Sequence, residues 1–599
     1  MKKIILLTLI LNCQLSIVNS YAQNILFGPV TGAVTNASAR IFIRSNQAGE
    51  VQIALDTDPG FSSPLTYIDT IRTLKDTSAI INISGLQPAT LYYCRFFINQ
   101  QQDTIETSFK TFPQPGMAAD FSFAFGSCMK GTDMTPLFSV MNAHQPDLFI
   151  QLGDFTYPDA ADEFSEDFDF VTASYHAKYS YPGISTVLRS VPLAYVYDDH
   201  DYADNNTSKY TQALDATYAG PNGLETVLID APLGPNERSN SINGWLDYFP
   251  GYNAVDTSQG LYHRFTLGNA EFFFLDNRSS RSPNNEAFYY DSTDVSFPWK
   301  FLPPPGHTIL GTEQMQWLLN GLENSTAKWK FLLSGTTFNK SLKRVINVGL
   351  GLQRNTLNIG GSGGSGMTMA TGFSDGWPGF PADQDTLINF IRSHNIRNVI
   401  LLSGDTHTSA MDDGTNSGIP EFNSSAMGVD ESKIRLYHIM DSVGSLIGQP
   451  PVLDSLWNKG GNGLGNTNFH TSFGKVEVFG NDSIRMCIVD NEGTVFNCWT
   501  FEDGFVAGVK ETANTKKYNS LQVFPNPASA LINIHFENIR PDVNYIFSLY
   551  DISGKVVLAK SDIRATDFTV DVSKLKSGNY LCTLTEEGME KGNATVVIK

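Results

Sequence analysis

The sequence is poor in cysteine, in positive charge and in long apolar runs, and each shortage removes a class of explanation. Six cysteines are spread over 599 residues, and five of them, Cys94, Cys128, Cys487, Cys498 and Cys582, lie beyond the first 22 positions. An odd and scattered set is not a disulfide framework. Cys487 and Cys498 flank the turn-like Asp490-Asn491-Glu492-Gly493; a bridge across a hairpin is open to them but is not expected. With 41 Lys and Arg against 61 Asp and Glu, the formal net charge is −20. Gripping a phosphate-rich polymer takes clustered cations, so nucleic acid is not an expected partner. Beyond the N-terminus no segment approaches the roughly 20 apolar residues of a membrane-spanning helix, so no transmembrane segment is expected.

What is present suggests several folded units. At roughly 150 residues per domain the length predicts three or four, and 41% hydrophobic with 17% charged residues predicts order. Residues 1–22 combine Lys2 and Lys3, an apolar run from Ile4 to Leu11 and the small-x-small ending Ser20-Tyr21-Ala22, the pattern of a secretory signal. Residues 24–115 read as short strands between Gly, Asn, Asp and Pro, which predicts a β-sandwich. From 120 to 504 the pattern changes to apolar strands, FSFAFGS, DLFIQLGD, VPLAYVYDD, AEFFFLDN, WKFLLSG and NVILLSGD. They alternate with helical stretches such as Glu313 to Leu322, as in an α/β domain. The Gly- and Ser-rich stretch 349–366 lacks the Gly-Lys-Ser/Thr ending of a phosphate-binding loop and predicts a flexible loop. A linker over 505–518 precedes a small β unit over 519–599 containing VFPNPAS, INIHF, FSLYDISGKVV and SGNYLCTLT.

Chemistry-bearing residues gather where the apolar strands end, which is where open α/β sheets place ligands. Cys128 closes Phe125-Gly126-Ser127-Cys128. A lone cysteine is usually a small buried hydrophobe, but at a strand end its thiolate suits a metal or, less readily, nucleophilic attack. Asp154 follows Gly153, where an aspartate is ordinarily a turn residue or helix cap; two carboxylate oxygens could also hold two cations about 4 Å apart. Tyr157 offers a phenolate oxygen or plain packing. Asp198-Asp199-His200-Asp201 crowds three carboxylates and an imidazole behind an apolar strand, which penalises folding unless a cation neutralises them. Asp405 and His407 in Ser403-Gly404-Asp405-Thr406-His407 repeat the theme. An acidic chain can process phosphate esters when bound cations supply the positive charge locally.

The order GSC, GDxxY, DDHD with a downstream Asn, LDxR and SGDxH resembles the PhoD alkaline phosphatase family over about 120–502. Supporting segments are Leu275-Asp276-Asn277-Arg278 with Arg281, Gly311-Thr312-Glu313-Gln314, Ala327-Lys328-Trp329-Lys330 and Asp375-Gly376-Trp377. The resemblance implies a four-layer αββα metallophosphoesterase core, behind a fibronectin type III-like sandwich at 24–115. It also implies a site for Fe3+ and Ca2+. Cys128, Asp154, Tyr157 and Asp405 become the iron ligands, with Asp154 and Asp405 shared towards calcium, and Asp199 and Asn205 join on the calcium side. Cys and Tyr suit iron and carboxylate and amide oxygens suit calcium, although ligand types alone leave Zn2+ and Mn2+ open. Arg278 becomes the arginine that faces phosphate; on its own it reads equally as an ion-pair partner. His200 and His407 become candidates for protonating the leaving alkoxide or binding phosphate oxygen.

Two departures from the family pattern stand out: Pro378 in Asp375-Gly376-Trp377-Pro378-Gly379, and an Asn205-Asn206 pair one residue further from the DDHD core. The C-terminal β unit resembles a type IX secretion sorting domain, which implies the type IX machinery as partner and a secreted or surface location. Together these resemblances imply a hydrolase in which metal-activated water attacks a phosphomonoester or phosphodiester, phospholipid headgroups included. The alternative is a catalytically silent surface binding protein.

Overall fold

A computed structural model describes residues 24–131, 133–158, 166–220, 223–234, 236–294, 298–354, 366–429, 456–461, 470–504 and 521–599, less 537–538, 541–542, 544, 551–555 and 587–588. The expected signal at 1–22 and linker at 505–518 lie outside the described residues. The chain divides into two compact units, Met1–Gly508 and Val509–Lys599.

In the larger unit the continuous apolar runs become strands buried on both faces, as such runs do when a sheet is covered on each side. One sheet runs Val495–Glu502, Ser483–Asp490, Ser472–Phe479, Phe121–Gly126, Leu148–Gln151, Leu193–Tyr195, Ile25–Gly32, Ser38–Ser45, Ser78–Ser84 from edge to edge. Its central strands Phe121–Gly126, Leu148–Gln151 and Leu193–Tyr195 are parallel. The second runs His263–Leu267, Ala270–Leu275, Trp329–Ser334, Val399–Ser403, Glu421–Ser424, Ser409–Asp412, with Ala270–Leu275, Trp329–Ser334 and Val399–Ser403 parallel.

Facing side chains join the two sheets. Phe123 meets Phe272 and Phe331 edge-on at 5.5 and 5.3 Å between ring centroids, and Phe125 meets Phe422 at 4.8 Å. Alternate residues turn the other way. Ala124, Phe149 and Tyr195 pack with helices Thr135–Ala143, Phe168–Ser180, Pro182–Ser190 and Glu237–Tyr248. On the outer face of the second sheet, Phe273, Leu332 and Leu401 pack with helices Gly311–Asn324 and Pro381–Ser393. Each fully buried Phe or Leu contributes about 1.5–3 kcal/mol, so this core fixes the strand ends that carry the polar residues.

Two expectations are corrected, in the Gly- and Ser-rich stretch and at the cysteines. The N-terminal strands form two sheets: Ile25–Gly32, Ser38–Ser45 and Ser78–Ser84 pair in one, which continues the nine-stranded sheet, and Gly49–Asp56, Leu65–Ile71, Leu91–Ile98 and Gln101–Lys110 form the other; Ile41, Ile43 and Ile81 of the first and Val51, Ile53 and Phe96 of the second lie in one hydrophobic core. Gly32 pairs in parallel with Leu193, which joins the N-terminal strands to the edge of the central sheet. Within the Gly- and Ser-rich stretch, residues 349–354 close the helix Lys343–Arg354 and Gly366 opens the helix Gly366–Ser374, while 355–365 lie outside the described residues.

The second correction is covalent. Cys487 and Cys498 form a disulfide. The register shift between the pairs Met486↔Trp499 and Ile488↔Phe496 brings the two cysteines opposite one another, a detail of the hairpin that spacing alone does not reveal. They are 11 residues apart, a short loop, so Cys498→Ser is expected to lower stability by no more than about 3 kcal/mol, read as a shift in the denaturant midpoint.

The smaller unit packs a three-stranded sheet (Gln522–Phe524, Leu531–His535, Asp567–Asp571) and a four-stranded sheet (Val556–Ile563, Tyr545–Tyr550, Gly578–Glu586, Met589–Ile598) around Ile532, Ile534, Phe547, Leu549 and Val596.

Candidate metal centre

The C-terminal ends of parallel strands from both sheets converge, and the turns leaving them carry the acidic motifs. Two glycines let the turns approach. A Cβ on Gly153, at φ +99°, would stand 2.2 Å from Asp198 Cβ, and one on Gly404 would stand 2.6 Å from Gly335 O and Ser127 Oγ. The residues that follow are held in the left-handed region: Cys128 at φ 62°, Asp154 at 57°, Asp405 at 74°, His407 at 54° and Asn206 at 56°. For non-glycine residues this conformation is unfavourable and persists where surrounding structure imposes it, as at ligand sites.

The loops are cross-tied. Ser127 Oγ lies 3.3 Å from Cys128 Sγ and accepts the Asp405 N–H at 3.2 Å. Met129 N–H donates to Asp154 O at 2.9 Å, and Tyr157 OH donates to Asp154 Oδ2 at 3.1 Å. In the DDHD motif each residue has a separate task. Asp198 caps the one-turn helix Asp199–Tyr202 and accepts from Arg278 Nε. Asp199 accepts the Asn206 N–H at 2.6 Å. His200 packs on Tyr157 with ring centroids 4.5 Å apart, and Asp201 accepts from Thr156 N and Oγ1 at 2.6 and 2.8 Å.

Donor atoms of Cys128, Asp154 and His407 lie within 4.8 Å of one another, as do those of Asp154, Asp199 and His200, and those of Asp198, Asp199 and Asp405. Asp154 Oδ1 and Asp199 Oδ1 are buried and accept no hydrogen bond. Burial, aggravated by the Asp199 charge, pushes the Asp154 and Asp405 carboxyls well above the usual range. Burial lifts Asp198 to about 7 despite Arg278, whereas Arg278 and His200 outweigh burial at Asp199 and hold it ionised. Burial and the neighbouring carboxylates raise the Cys128 thiol and the Tyr157 phenol as well. Thiol, phenol and carboxylates in one dry pocket are mutually unfavourable as anions, and divalent or trivalent cations reverse that penalty. The donor set therefore fits a binuclear metal centre.

Residues 123–433, more than half of the sequence, match the PhoD-like phosphatase family. The chain belongs to this family. Residues 522–599 match the secretion system C-terminal sorting domain. Alkaline phosphatase D of Bacillus subtilis (strain 168) is 27% identical over 356 residues, covering 55% of this chain and 53% of that protein; the PhoD-like chain thus spans about half the length of this curated relative. A solved PhoD structure is similar in fold, with a TM-score of 0.56 at 20% identity over 81% of this chain and 91% of the other. A purple acid phosphatase from yellow lupin (Lupinus luteus) seeds gives a TM-score of 0.48 at 10% identity, covering 79% and 74%.

Most of the site residues expected in this PhoD-like chain come together: Cys128, Asp154, Tyr157, Asp199, His200, Arg278, Asp405 and His407. Asn205 does not. It is exposed, and its N–H bonds to Asp204 Oδ1, while the half-buried Asn206 reaches Asp199. Arg278 is also embedded more deeply than a phosphate-facing arginine need be. Its Nη1 pairs with Asp375 at 2.9 Å and its Nε with Asp198, leaving Nη2 buried without a hydrogen bond, 3.8 Å from Asp199 Oδ1. Asp375 in turn accepts from Asn284 Nδ2 at 2.7 Å and pairs with Arg281 at 3.2 Å. Asp198 and Asp375 as anchors of Arg278 went unassigned in the sequence, although both lie in motifs that drew notice.

Proposed function

We propose that the chain is an exported metal-dependent phosphoester hydrolase of the alkaline phosphatase D type. The observation that carries this reading is the set of buried, hydrogen-bond-starved carboxylate oxygens of Asp154 and Asp199 beside Cys128, Tyr157 and Asp405. Cys128, Asp154, Tyr157 and Asp405 would hold iron, and Asp154, Asp405 and Asp199 would hold calcium, with Asn206 fixing Asp199 through its backbone N–H. Bound there, the two cations would lower the pKa of a water and neutralise phosphate oxygens. Arg278, fixed at Nε and Nη1, has Nη2 left as a donor for a phosphate oxygen. His200 or His407 would return a proton to the leaving alkoxide. In-line attack by water needs no covalent enzyme intermediate, and both phosphomonoesters and phosphodiesters, phospholipid headgroups included, suit such a centre.

Two packed sheets with helices on their outer faces support the four-layer αββα reading, with the fibronectin type III-like strands built onto its edge. We assign residues 120–504 to the catalytic domain and 519–599 to sorting by the type IX machinery, which indicates a secreted or surface-held protein. Among the described residues no helix is long and apolar enough to cross a membrane. A silent binding protein would carry the same repulsion among buried carboxylates with nothing to offset it.

The test is hydrolysis of mono- and bis-p-nitrophenyl phosphate, with and without chelator, beside Asp154→Ala. Hydrolysis that chelator abolishes and that falls at least ~10²-fold in the variant is expected, the scale of losing a principal transition-state contact. A folded, metal-loaded chain inactive on both compounds would sink the reading.

A further inference from the structure

Lys178 lies in the last turn of the helix Phe168–Ser180, in a stretch where nothing in the sequence distinguishes it from a surface lysine. The fold instead buries it to 4% exposure. Its Nζ donates to Met129 O, the carbonyl of the residue after Cys128, and stands 5.4 Å from the centroid of the Tyr157 ring. Among the described residues Lys178 forms no ion pair within salt-bridge distance of a carboxylate. Burying an amine that ionises in water is unfavourable, so an apolar residue of similar length would fill this space better.

We propose that Lys178 is a positioning residue for the metal centre: its amine pins the Cys128–Met129 backbone while its Nζ end lies against the Tyr157 ring, so that one side chain orients two of the ligands. This rests on the metal-centre reading above. The Cys128 turn needs holding because φ is 62° there, and among the described residues Lys178 adds the one tie from a charged side chain to the Ser127 Oγ contact at 3.3 Å and the backbone bonds Cys128 N–H to Gly153 O at 3.4 Å, Gly428 N–H to Cys128 O at 2.9 Å and Met129 N–H to Asp154 O at 2.9 Å. Tyr157 sits on a different loop, and between its ring and Met129 O the Lys178 Nζ is the shared neighbour.

The experiment uses the full chain as wild type, Lys178→Met and Lys178→Arg, each stripped of metal and titrated with ferric iron in the presence of calcium. Uptake, visible absorption and metal-free melting temperature are measured. We expect Lys178→Met to bind iron ~10–100-fold more weakly, the scale for removing a group that orients a metal ligand. Its phenolate-to-iron absorption band should shift, while metal-free melting stays level or rises. Lys178→Arg, which keeps a cationic donor, should stay nearer to wild type in affinity. Unchanged affinity and band position in Lys178→Met would overturn the proposal, and so would a Lys178→Met protein that melts far below wild type without metal, because Lys178 would then support the fold alone. A wild-type chain that takes up no iron would instead sink the metal-centre reading, and this inference with it.

Discussion

Arg278→Ala should destabilise the metal-free protein by roughly 3–5 kcal/mol, the range for removing one partner from a buried ion pair. The guanidinium is fully buried and bonded to Asp198 and Asp375, with Asp199 at 3.8 Å. Removing it strands three carboxylates in a dry interior. The loss should exceed that of any single carboxylate-to-amide change in the same network, since Asp198→Asn or Asp375→Asn deletes one negative charge and leaves the cation paired. Adding Asp375→Asn to Arg278→Ala should return part of the loss, as coupled neighbours do in a double-mutant cycle. Denaturant midpoints of the four proteins decide it. If Arg278→Ala unfolds at the wild-type midpoint, the guanidinium is not neutralising those charges.

Metal removal should change the dependence of stability on pH as well as its size. Asp154 and Asp405 are raised well above their ordinary pKa, and Asp198 is raised to about 7. An unfolded aspartate releases its proton near 3.9. Between that value and the raised native values the folded, metal-free protein binds more protons than the unfolded one, so stability falls as pH rises. The decline begins near pH 4 and for Asp198 continues through about pH 7; Asp154 and Asp405 add to it in the same direction. Asp199 is shifted the other way and offsets part of it only below its unfolded value. With cations bound, these carboxylates are held ionised and the decline should flatten or reverse. Melting temperatures from pH 4.5 to 8, with and without chelator, test this. Parallel curves would mean that no cation meets these carboxylates.

Much of the site was legible because its candidate ligands follow strands whose apolar runs are unmistakable. Cys128, Asp154, Asp199 and Asp405 each come within four residues of the end of such a run, and parallel strands in one sheet necessarily deliver their C-terminal ends to one edge. The Asn205 expectation failed for a local reason. Spacing does not show which way a turn faces, and here the Asn205 side chain is exposed while the Asn206 backbone N–H meets Asp199. The disulfide was missed in the same way, through a register irregularity that has no signature in residue spacing.

The sequence by itself determined the strand runs, the residue types at their ends and the acidic excess that calls for cations, because these follow from local periodicity and from charge repulsion over a few residues. Only the tertiary structure decided which neighbours those residues have. Arg278 meets Asp198 across 80 positions and Asp375 across 97, Lys178 reaches Met129 across 49, and the first N-terminal strand joins the central sheet beside residue 193. Each pairing is bought by burial of the whole core. The hydrophobic effect that drives that burial is non-directional, so the partner of a buried polar group is set by how the packed layers align it, information that no window along the chain contains.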